Sequence, residues 1–262
     1  MNPETIQRLL ALNQEFYAAC AAAFARSRGA GQAGLLRTLP YLPPTPTVLD
    51  LGCGNGRLAR WLADQRQGLT YVGLDASADL LHAAAQTLRA LEGVHAHLVM
   101  ADVTRAAWPT ALPPLTPAGA PFDAIYLLAL LHHLPGFALR ATVLRQAGQL
   151  LAPGGAVIAT FWQFLDDARW QARRLPWETV GLTAGQVEAG DALLDWRRDG
   201  LGLRYVHHIS PAEAEALAHA AGLQVVETYR ADGQSKRLNL FQICRARPPA
   251  QNSAGGATAQ TT

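Results

Sequence analysis

The chain has 262 residues, of which 50% are hydrophobic and 16% are charged, and its formal net charge at pH 7 is +2. This composition suits one large α/β domain with additions, and the small net charge does not by itself argue for binding to nucleic acid or membranes. The cysteines are far apart, so neither a disulfide framework nor a metal site is indicated. With no leader pattern and no long apolar run, we expect a soluble, cytoplasmic protein without membrane contact.

The first segment, residues 1–46, is predicted to be helical. Asn2 and Pro3 supply an N-cap and a proline at the first helical position, and apolar residues then recur at helical spacing as far as Phe24. A short second helix or turn is predicted over residues 35–42. The prolines that follow it end the segment.

Residues 47–61 are the most informative stretch of the chain. A short apolar run with β character, residues 48–51, leads into three closely spaced glycines and then into a helical pattern. Glycines accept positive φ and let the backbone approach a ligand, and a helix N-terminus offers free N–H groups. The spacing matches neither the dinucleotide fingerprint nor a P-loop. The residues expected to contact a ligand here are Asp50, Gly52, Cys53, Gly54, Asn55, Gly56 and Arg57.

Strands and helices then alternate, which predicts a doubly wound, mostly parallel seven-stranded α/β sheet. The next predicted strands are residues 70–74, 95–100, 122–130 and 156–162. Asp75 and Asp102 follow the second and third strands, and His132 and His133 follow the fourth. Because the carboxyl ends of parallel strands meet at one edge, we expect these side chains to lie together there.

The C-terminal part begins with a loose, arginine- and tryptophan-rich insert, residues 163–206, which we expect to form a lid or substrate-binding region. Ser210 starts a helix with a capping box. Two antiparallel strands, residues 223–229 and 238–245, complete a domain spanning residues 47–246, and the tail from 247 to 262 is expected to be disordered.

The glycine turn, with the sequence Asp50-Leu51-Gly52-Cys53-Gly54-Asn55-Gly56, resembles the nucleoside-binding turn of class I S-adenosylmethionine-dependent methyltransferases, of the kind called methyltransferase domain 11. The resemblance implies S-adenosyl-L-methionine as cofactor. Asp50 would face the cationic ammonium, Asp75 the ribose hydroxyls and Asp102 the adenine amino group. The other residues that the resemblance adds to the cofactor site are Ala76, Val103 and Leu127.

The C-terminal half resembles the eukaryotic tRNA wobble-uridine carboxymethyl methyltransferases. The similarity lies in Gly190-Asp191, Trp196 and the run Leu203-Arg204-Tyr205-Val206-His207, with the histidine pair after the fourth strand. It implies a tRNA acceptor and, as a further partner, a small zinc-binding activator subunit. Asp195 stands where that family has proline, and Val206 where it has a second tyrosine.

The chemical type of the methyl acceptor determines which side chains would take part in methyl transfer. A carboxylate is ionised at pH 7 and needs cations rather than a base, so Arg204, Tyr205 and His207 are the candidates to hold it. An amine, phenol or carbon acceptor needs a general base, for which His132 and His133 are the candidates. The alternatives are a structural salt bridge for Arg204 and simple packing for the two histidines. The function is therefore methylation of a tRNA, methylation of a metabolite or quinone-like compound, or cofactor binding without catalysis.

Overall fold

A computed structural model describes residues 1–26, 33–115, 121–196 and 202–247 of the chain. The predicted disordered tail lies outside these residues, except for its first position. In the described ranges, none of the helices is both long enough and apolar enough to cross a lipid bilayer.

The centre of the molecule is a seven-stranded sheet with the order β3-β2-β1-β4-β5-β10-β9. Its strands are β1 (Thr47–Leu51), β2 (Leu69–Asp75), β3 (Val94–Met100), β4 (Phe122–Leu128), β5 (Leu151–Trp162), β9 (Leu223–Ala231) and β10 (Asn239–Ala246). The first five are parallel, and β10 is antiparallel to both of its neighbours. The predicted fold class is thus confirmed. β5 begins at Leu151 rather than at residue 156, because Leu151 already pairs with Phe122.

The described helices are α1 (Pro3–Arg26), α2 (Arg57–Ala63), α3 (Ala78–Arg89), α4 (Phe137–Gln149), α5 (Ala168–Gln171) and α6 (Pro211–Ala220). Of these, α2, α3, α4 and α6 pack against strands of the large sheet. Ser77 caps α3 by accepting from the Leu80 N–H, and Ser210 caps α6 by accepting from the Glu213 N–H. The central strand β4 has Ile125, Tyr126 and Leu127 fully buried, as expected for a strand covered on both faces.

The predicted insert contains a separate three-stranded antiparallel sheet, which the sequence did not reveal. It consists of β6 (Arg174–Leu175), β7 (Asp191–Trp196) and β8 (Gly202–His207). Every side chain of β7 is buried, including Asp191 and Asp195, so the strand lacks the alternation of polar and apolar residues that would identify it.

A buried ion network attaches this small sheet to α4 and α6. Arg140, only 1% exposed, donates from Nη2 to Glu188 (2.6 Å) and to Glu213 (2.9 Å). His207 contacts Asp191 through Nδ1 (2.6 Å) and Glu213 through Nε2 (2.8 Å). Burial alone would lower the pKa of His207, but its hydrogen bonds to the two carboxylates outweigh burial and raise that pKa.

Helix α1 packs against β8 and reaches the carboxyl edge of the large sheet. Asn13 makes the connection with both ends of its amide: Nδ2 donates to the His133 carbonyl (3.1 Å), and Oδ1 accepts from the Tyr205 N–H (2.9 Å). The N-terminal helix is therefore part of the wall that closes this edge.

Candidate cofactor and acceptor site

A cavity of about 460 Å³ lies at the carboxyl ends of β1, β2 and β3, with α1 along one side. Asp50, Asp75 and Asp102, one from the end of each strand, all line it. The expected juxtaposition of the three acids is therefore present in the structure. The remaining predicted cofactor residues that line the same cavity are Gly52, Cys53, Gly54, Asn55, Arg57, Ala76 and Val103.

The glycine turn folds tightly against the end of β2. The N–H groups of Gly52 and Cys53 both donate to the Leu74 carbonyl, at 2.8 and 3.0 Å. Gly52 and Gly54 have φ values of +72° and +55°, which side chains rarely adopt. A Cβ placed on Gly54 would meet nothing within 4 Å, so the backbone there borders open space that a ligand can fill.

Asp75 is held in one orientation by backbone donors. Its Oδ2 accepts from the Gly54 N–H and its Oδ1 from the Ser77 N–H, each at 2.9 Å. Each oxygen keeps a second acceptor position, which suits a pair of ligand hydroxyls. Burial raises the pKa of Asp75, although these backbone donors oppose the shift.

Asp102 is positioned by the turn that follows β3. Its Oδ1 accepts from both the N–H and the hydroxyl of Thr104, at 2.9 and 2.8 Å. An Asx turn of this kind fixes the carboxylate at the strand end. The side chain of Val103, 8% exposed, lines the cavity beside it as an apolar surface.

Asp50 is the most deeply buried of the three acids, at 2% exposure. Its Oδ2 accepts from the Tyr71 hydroxyl at 2.7 Å. Burial raises the pKa of Asp50 to about 7, while the Tyr71 hydrogen bond and the nearby Arg57 act in the opposite direction. A carboxyl that ionises near neutrality, at the edge of a cavity, is suited to binding a cationic group.

The opposite wall contains residues that the sequence did not identify as part of the site. α1 contributes Asn13, Gln14 and Tyr17, and the end of β4 contributes Leu128 and Leu130. Ala129 also lines the cavity, with φ of +56° and its N–H donating to Thr160 Oγ1 at 2.8 Å. Strain of this kind gathers at functional sites, but an alanine gives no sequence signal for positive φ.

The two histidines after β4 differ in their surroundings. His133 lines the cavity, and its Nε2 is 2.9 Å from the Tyr17 hydroxyl. Its Nδ1 faces the Tyr205 carbonyl at 3.3 Å, so the tautomer consistent with both contacts has Nδ1 protonated and Nε2 accepting from Tyr17. His132 is 1% exposed and does not line the cavity; its ring lies 6.2 Å from that of Trp162.

Five other predicted site residues do not line this cavity: Gly56, Leu127, Arg204, Tyr205 and His207. Leu127 is buried in the core because β4 extends to Leu128, and the cavity is lined by the residues from Leu128 onward. The Tyr205 hydroxyl donates to Asp191 (2.7 Å).

His207 also does not offer a metal a free nitrogen. Glu188, Asp191 and His207 form a compact cluster, with donor atoms within 4.8 Å of one another. Both ring nitrogens of His207 face carboxylates, so both carry protons in the arrangement that satisfies them. The cluster is explained by the ion network.

The cavity carries three acids at the strand ends, whereas a site for a phosphate group would carry basic groups. The site fits a nucleoside that carries a positively charged amine, because Asp75 can accept from hydroxyls, the glycines of the turn allow close approach and Asp50 supplies a carboxyl. The same set does not fit a pyrophosphate, for which a P-loop supplies a lysine and backbone N–H groups.

The comparisons with known proteins agree with this geometry. The model of a protein family described as "Methyltransferase domain" (Methyltransf_12) matches residues 49–157, so the family model that matches is this one rather than the predicted domain 11 kind. A trans-aconitate 2-methyltransferase of Azoarcus sp. strain BH72 is 31% identical over 170 residues, 65% of this chain and 58% of its own length. The chain thus spans under two thirds of that relative.

Two further relatives are similar over different lengths. A trans-aconitate 2-methyltransferase of Delftia acidovorans is 30% identical over 199 residues, which are 76% of this chain and 67% of that protein. A ubiquinone biosynthesis O-methyltransferase of Serratia proteamaculans is 37% identical over 112 residues, 42% of this chain and 40% of its own length.

Solved structures share the fold at low sequence identity. A SAM-dependent methyltransferase of Methanosarcina mazei superposes with a TM-score of 0.61 at 17% identity, covering 80% of this chain and 96% of its own. The N-methyltransferase NodS of Bradyrhizobium japonicum, solved with S-adenosyl-L-homocysteine, superposes with a TM-score of 0.52 at 17% identity, covering 94% and 98%.

Proposed function

This chain belongs to the class I S-adenosylmethionine-dependent methyltransferases, and on that premise we propose that it methylates a small-molecule acceptor. Its cofactor is S-adenosyl-L-methionine. The observation that carries the proposal is the ring of Asp50, Asp75 and Asp102 around one cavity behind the glycine turn. A pocket with an acid at each of the three strand ends is what an enzyme that uses this cofactor needs.

Each acid would hold a different part of the cofactor. Asp75, with both oxygens oriented by backbone donors, would bind the two ribose hydroxyls, and Asp102 would accept from the adenine amino group. Asp50 would face the methionine ammonium. When bound, the sulfonium supplies an activated methyl group, and the protein contributes orientation and electrostatics.

The acceptor side is formed by Tyr17 and His133, on the wall opposite the glycine turn. A carboxylate acceptor would need only positioning here, because it is already a nucleophile at pH 7. A phenol would need a base, and the Tyr17–His133 pair, 2.9 Å apart, would take its proton. Among the relatives, one is named for trans-aconitate, a carboxylate, and one for O-methylation in ubiquinone biosynthesis.

A small acceptor is favoured over tRNA by the burial of the aromatic residues in the predicted insert. Trp177 and Trp196 are 8% and 7% exposed, and Trp170 is half-buried. Stacking of splayed RNA bases requires aromatic faces open to solvent. Methylation of a wobble-uridine carboxymethyl group, an activator subunit and a cytoplasmic location stay predictions from the sequence.

The test is methyl transfer from radiolabelled S-adenosylmethionine to a panel of acceptors. The panel holds trans-aconitate and other di- and tricarboxylates, phenols, amines and bulk tRNA. We expect label in a small acceptor, no label in tRNA, and loss of transfer in Asp75→Ala but not in the exposed control Asp64→Ala. Label confined to tRNA would favour the wobble-uridine alternative, and cofactor binding without any transfer would favour the non-catalytic one.

A further inference from the structure

Arg204 of β8 lies inside a box of four aromatic rings. Its guanidinium carbon is 5.0 Å from the centroid of the Trp162 ring, 5.6 Å from that of Trp196, 5.7 Å from that of Phe16 and 6.0 Å from that of Trp170. The residue is 4% exposed. Phe16 and Trp196 are buried, whereas Trp162 and Trp170 are half-buried, so the box is closest to solvent at these two tryptophans.

Arg204 forms no salt bridge among the described residues. No carboxylate of the described ranges lies within 4.0 Å of its guanidinium, and its buried Nε donates no hydrogen bond there. The nearby Asp195 is bound to Arg173, which donates to its Oδ1 and to its carbonyl, each at 2.9 Å. Aromatic faces stabilise a guanidinium but leave its in-plane N–H groups unsatisfied.

A buried charge of this kind is costly unless a counter-charge reaches it. Buried charges in proteins are normally paired, and an arginine with free in-plane donors binds carboxylates in two-point geometry. Burial lowers the pKa of Arg204 and the nearby Arg173 adds to the effect, while Tyr17 and Asp195 act in the opposite direction. The box would therefore gain stability from a bound anion.

The box adjoins the acceptor side of the cavity. Phe16 precedes the cavity-lining Tyr17, and their rings are 5.2 Å apart. On the other side, the rings of His133, His132 and Trp162 follow one another at 4.4 and 6.2 Å. Trp162 ends β5 and the histidines follow β4, so the box lies over the strands next to those that carry the cofactor cavity. This is the edge at which ligands bind to such sheets.

We propose that Arg204, framed by Phe16, Trp162, Trp170 and Trp196, is an anion subsite that binds a carboxylate group of the methyl acceptor. The inference rests on the proposed function and narrows it to acidic acceptors. The sequence suggested Arg204, Tyr205 and His207 as residues that hold a carboxylate acceptor, and we assign this role to Arg204 alone. Tyr205 and His207 take part in the ion network instead.

The tryptophans of the box report on its occupancy. The protein saturated with S-adenosylhomocysteine is titrated with benzoate, succinate, citrate and trans-aconitate, and with the neutral methyl esters of the same acids, while intrinsic fluorescence is recorded. We expect a saturable change with at least one acid, and binding of its ester that is about 10- to 100-fold weaker. Equal affinity for acid and ester, or no response to any acid, would overturn the subsite.

Variants assign the response to Arg204. Arg204→Gln should weaken acid binding about 10- to 100-fold. Arg204→Lys keeps the charge but loses the planar guanidinium that can bind a carboxylate through two N–H groups, so its affinity should lie between those of Arg204→Gln and the wild type. Arg174→Gln, an exposed arginine of the same small sheet, should match the wild type. Unchanged acid binding in Arg204→Gln would refute the assignment, and if that variant does not fold, the comparison of acid with ester decides.

Calorimetry with S-adenosylhomocysteine separates this inference from the function on which it rests. Cofactor binding should be the same in the wild type, Arg204→Gln and Arg174→Gln, because Arg204 does not line the cofactor cavity. A wild type that binds no cofactor would refute the proposed function. A wild type that binds cofactor but does not distinguish acids from esters would refute only the subsite.

Discussion

At the scale of single residues, the protonation of Asp50 makes cofactor binding depend on pH. Its carboxyl is buried, accepts one hydrogen bond from Tyr71 and has a pKa raised by burial to about 7. In the free protein it is therefore mostly protonated below neutrality. If Asp50 faces the methionine ammonium, cofactor binding favours its ionised form and releases a proton in that range.

The resulting prediction is a pH-dependent cofactor affinity. Below pH 7, the dissociation constant of S-adenosylmethionine should rise about tenfold for each unit by which the pH falls. The reason is that Asp50 must lose its proton before it can bind the ammonium group of the cofactor. Calorimetry at several pH values, in buffers of different ionisation enthalpy, measures both the affinity and the released proton. Asp50→Asn should remove this dependence, whereas exposed Asp64→Asn should keep it. An affinity that is constant from pH 5.5 to 8 would contradict the role of Asp50.

At the scale of elements, the ion network gives His207 a structural role. His207 lies between Asp191 of β7 and Glu213 of α6, and Arg140 of α4 contacts the same Glu213. Removing one member of a buried, paired network leaves the remaining charges uncompensated. The stability of the attachment between the small sheet and the helices therefore depends on the proton of His207.

We expect His207→Gln to lower the free energy of unfolding by about 3 kcal/mol, with cofactor affinity unchanged. The pKa of His207 is higher in the folded protein than in the unfolded chain. The stabilisation that protonated His207 provides is therefore fully present below its unfolded pKa and is lost as pH rises through its folded pKa. Urea unfolding at acidic and alkaline pH measures both effects. Exposed His219→Gln is the control. A variant of wild-type stability that has lost methyl transfer would instead support catalysis by His207.

A second prediction for elements concerns α1, which closes the cavity. Asn13 joins it to both the His133 carbonyl and the Tyr205 N–H. Asn13→Ala leaves two buried groups unpaired, so we expect a loss of about 2 kcal/mol in stability. Hydrogen exchange in α1 should speed up and cofactor binding should weaken, whereas exposed Glu15→Ala should change neither. Unchanged exchange in Asn13→Ala would show that the two hydrogen bonds of Asn13 do not hold α1 in place.

At the scale of the whole molecule, the parallel part of the fold and most of the cofactor residues could be predicted from sequence. Apolar runs ending in Asp50, Asp75 and Asp102 mark strands, and parallel topology brings strand ends together without further information. Long-range features were not predictable: the positive φ of Ala129, the approach of Tyr17 to His133, and β7 with its buried acids. Each depends on partners distant in the chain, such as Arg140 for the network around Asp191.

We propose that the acids at the tips of three parallel strands, Asp50, Asp75 and Asp102, hold the cofactor. Titration calorimetry of S-adenosylmethionine into the wild type, Asp75→Ala and Asp64→Ala tests it most directly, with circular dichroism to confirm folding. Asp75 would make two charge-assisted hydrogen bonds to the ribose, so we predict that Asp75→Ala binds about 100-fold more weakly or worse, and that Asp64→Ala binds like the wild type. Equal affinity in all three proteins, or no binding to the wild type, would contradict the account.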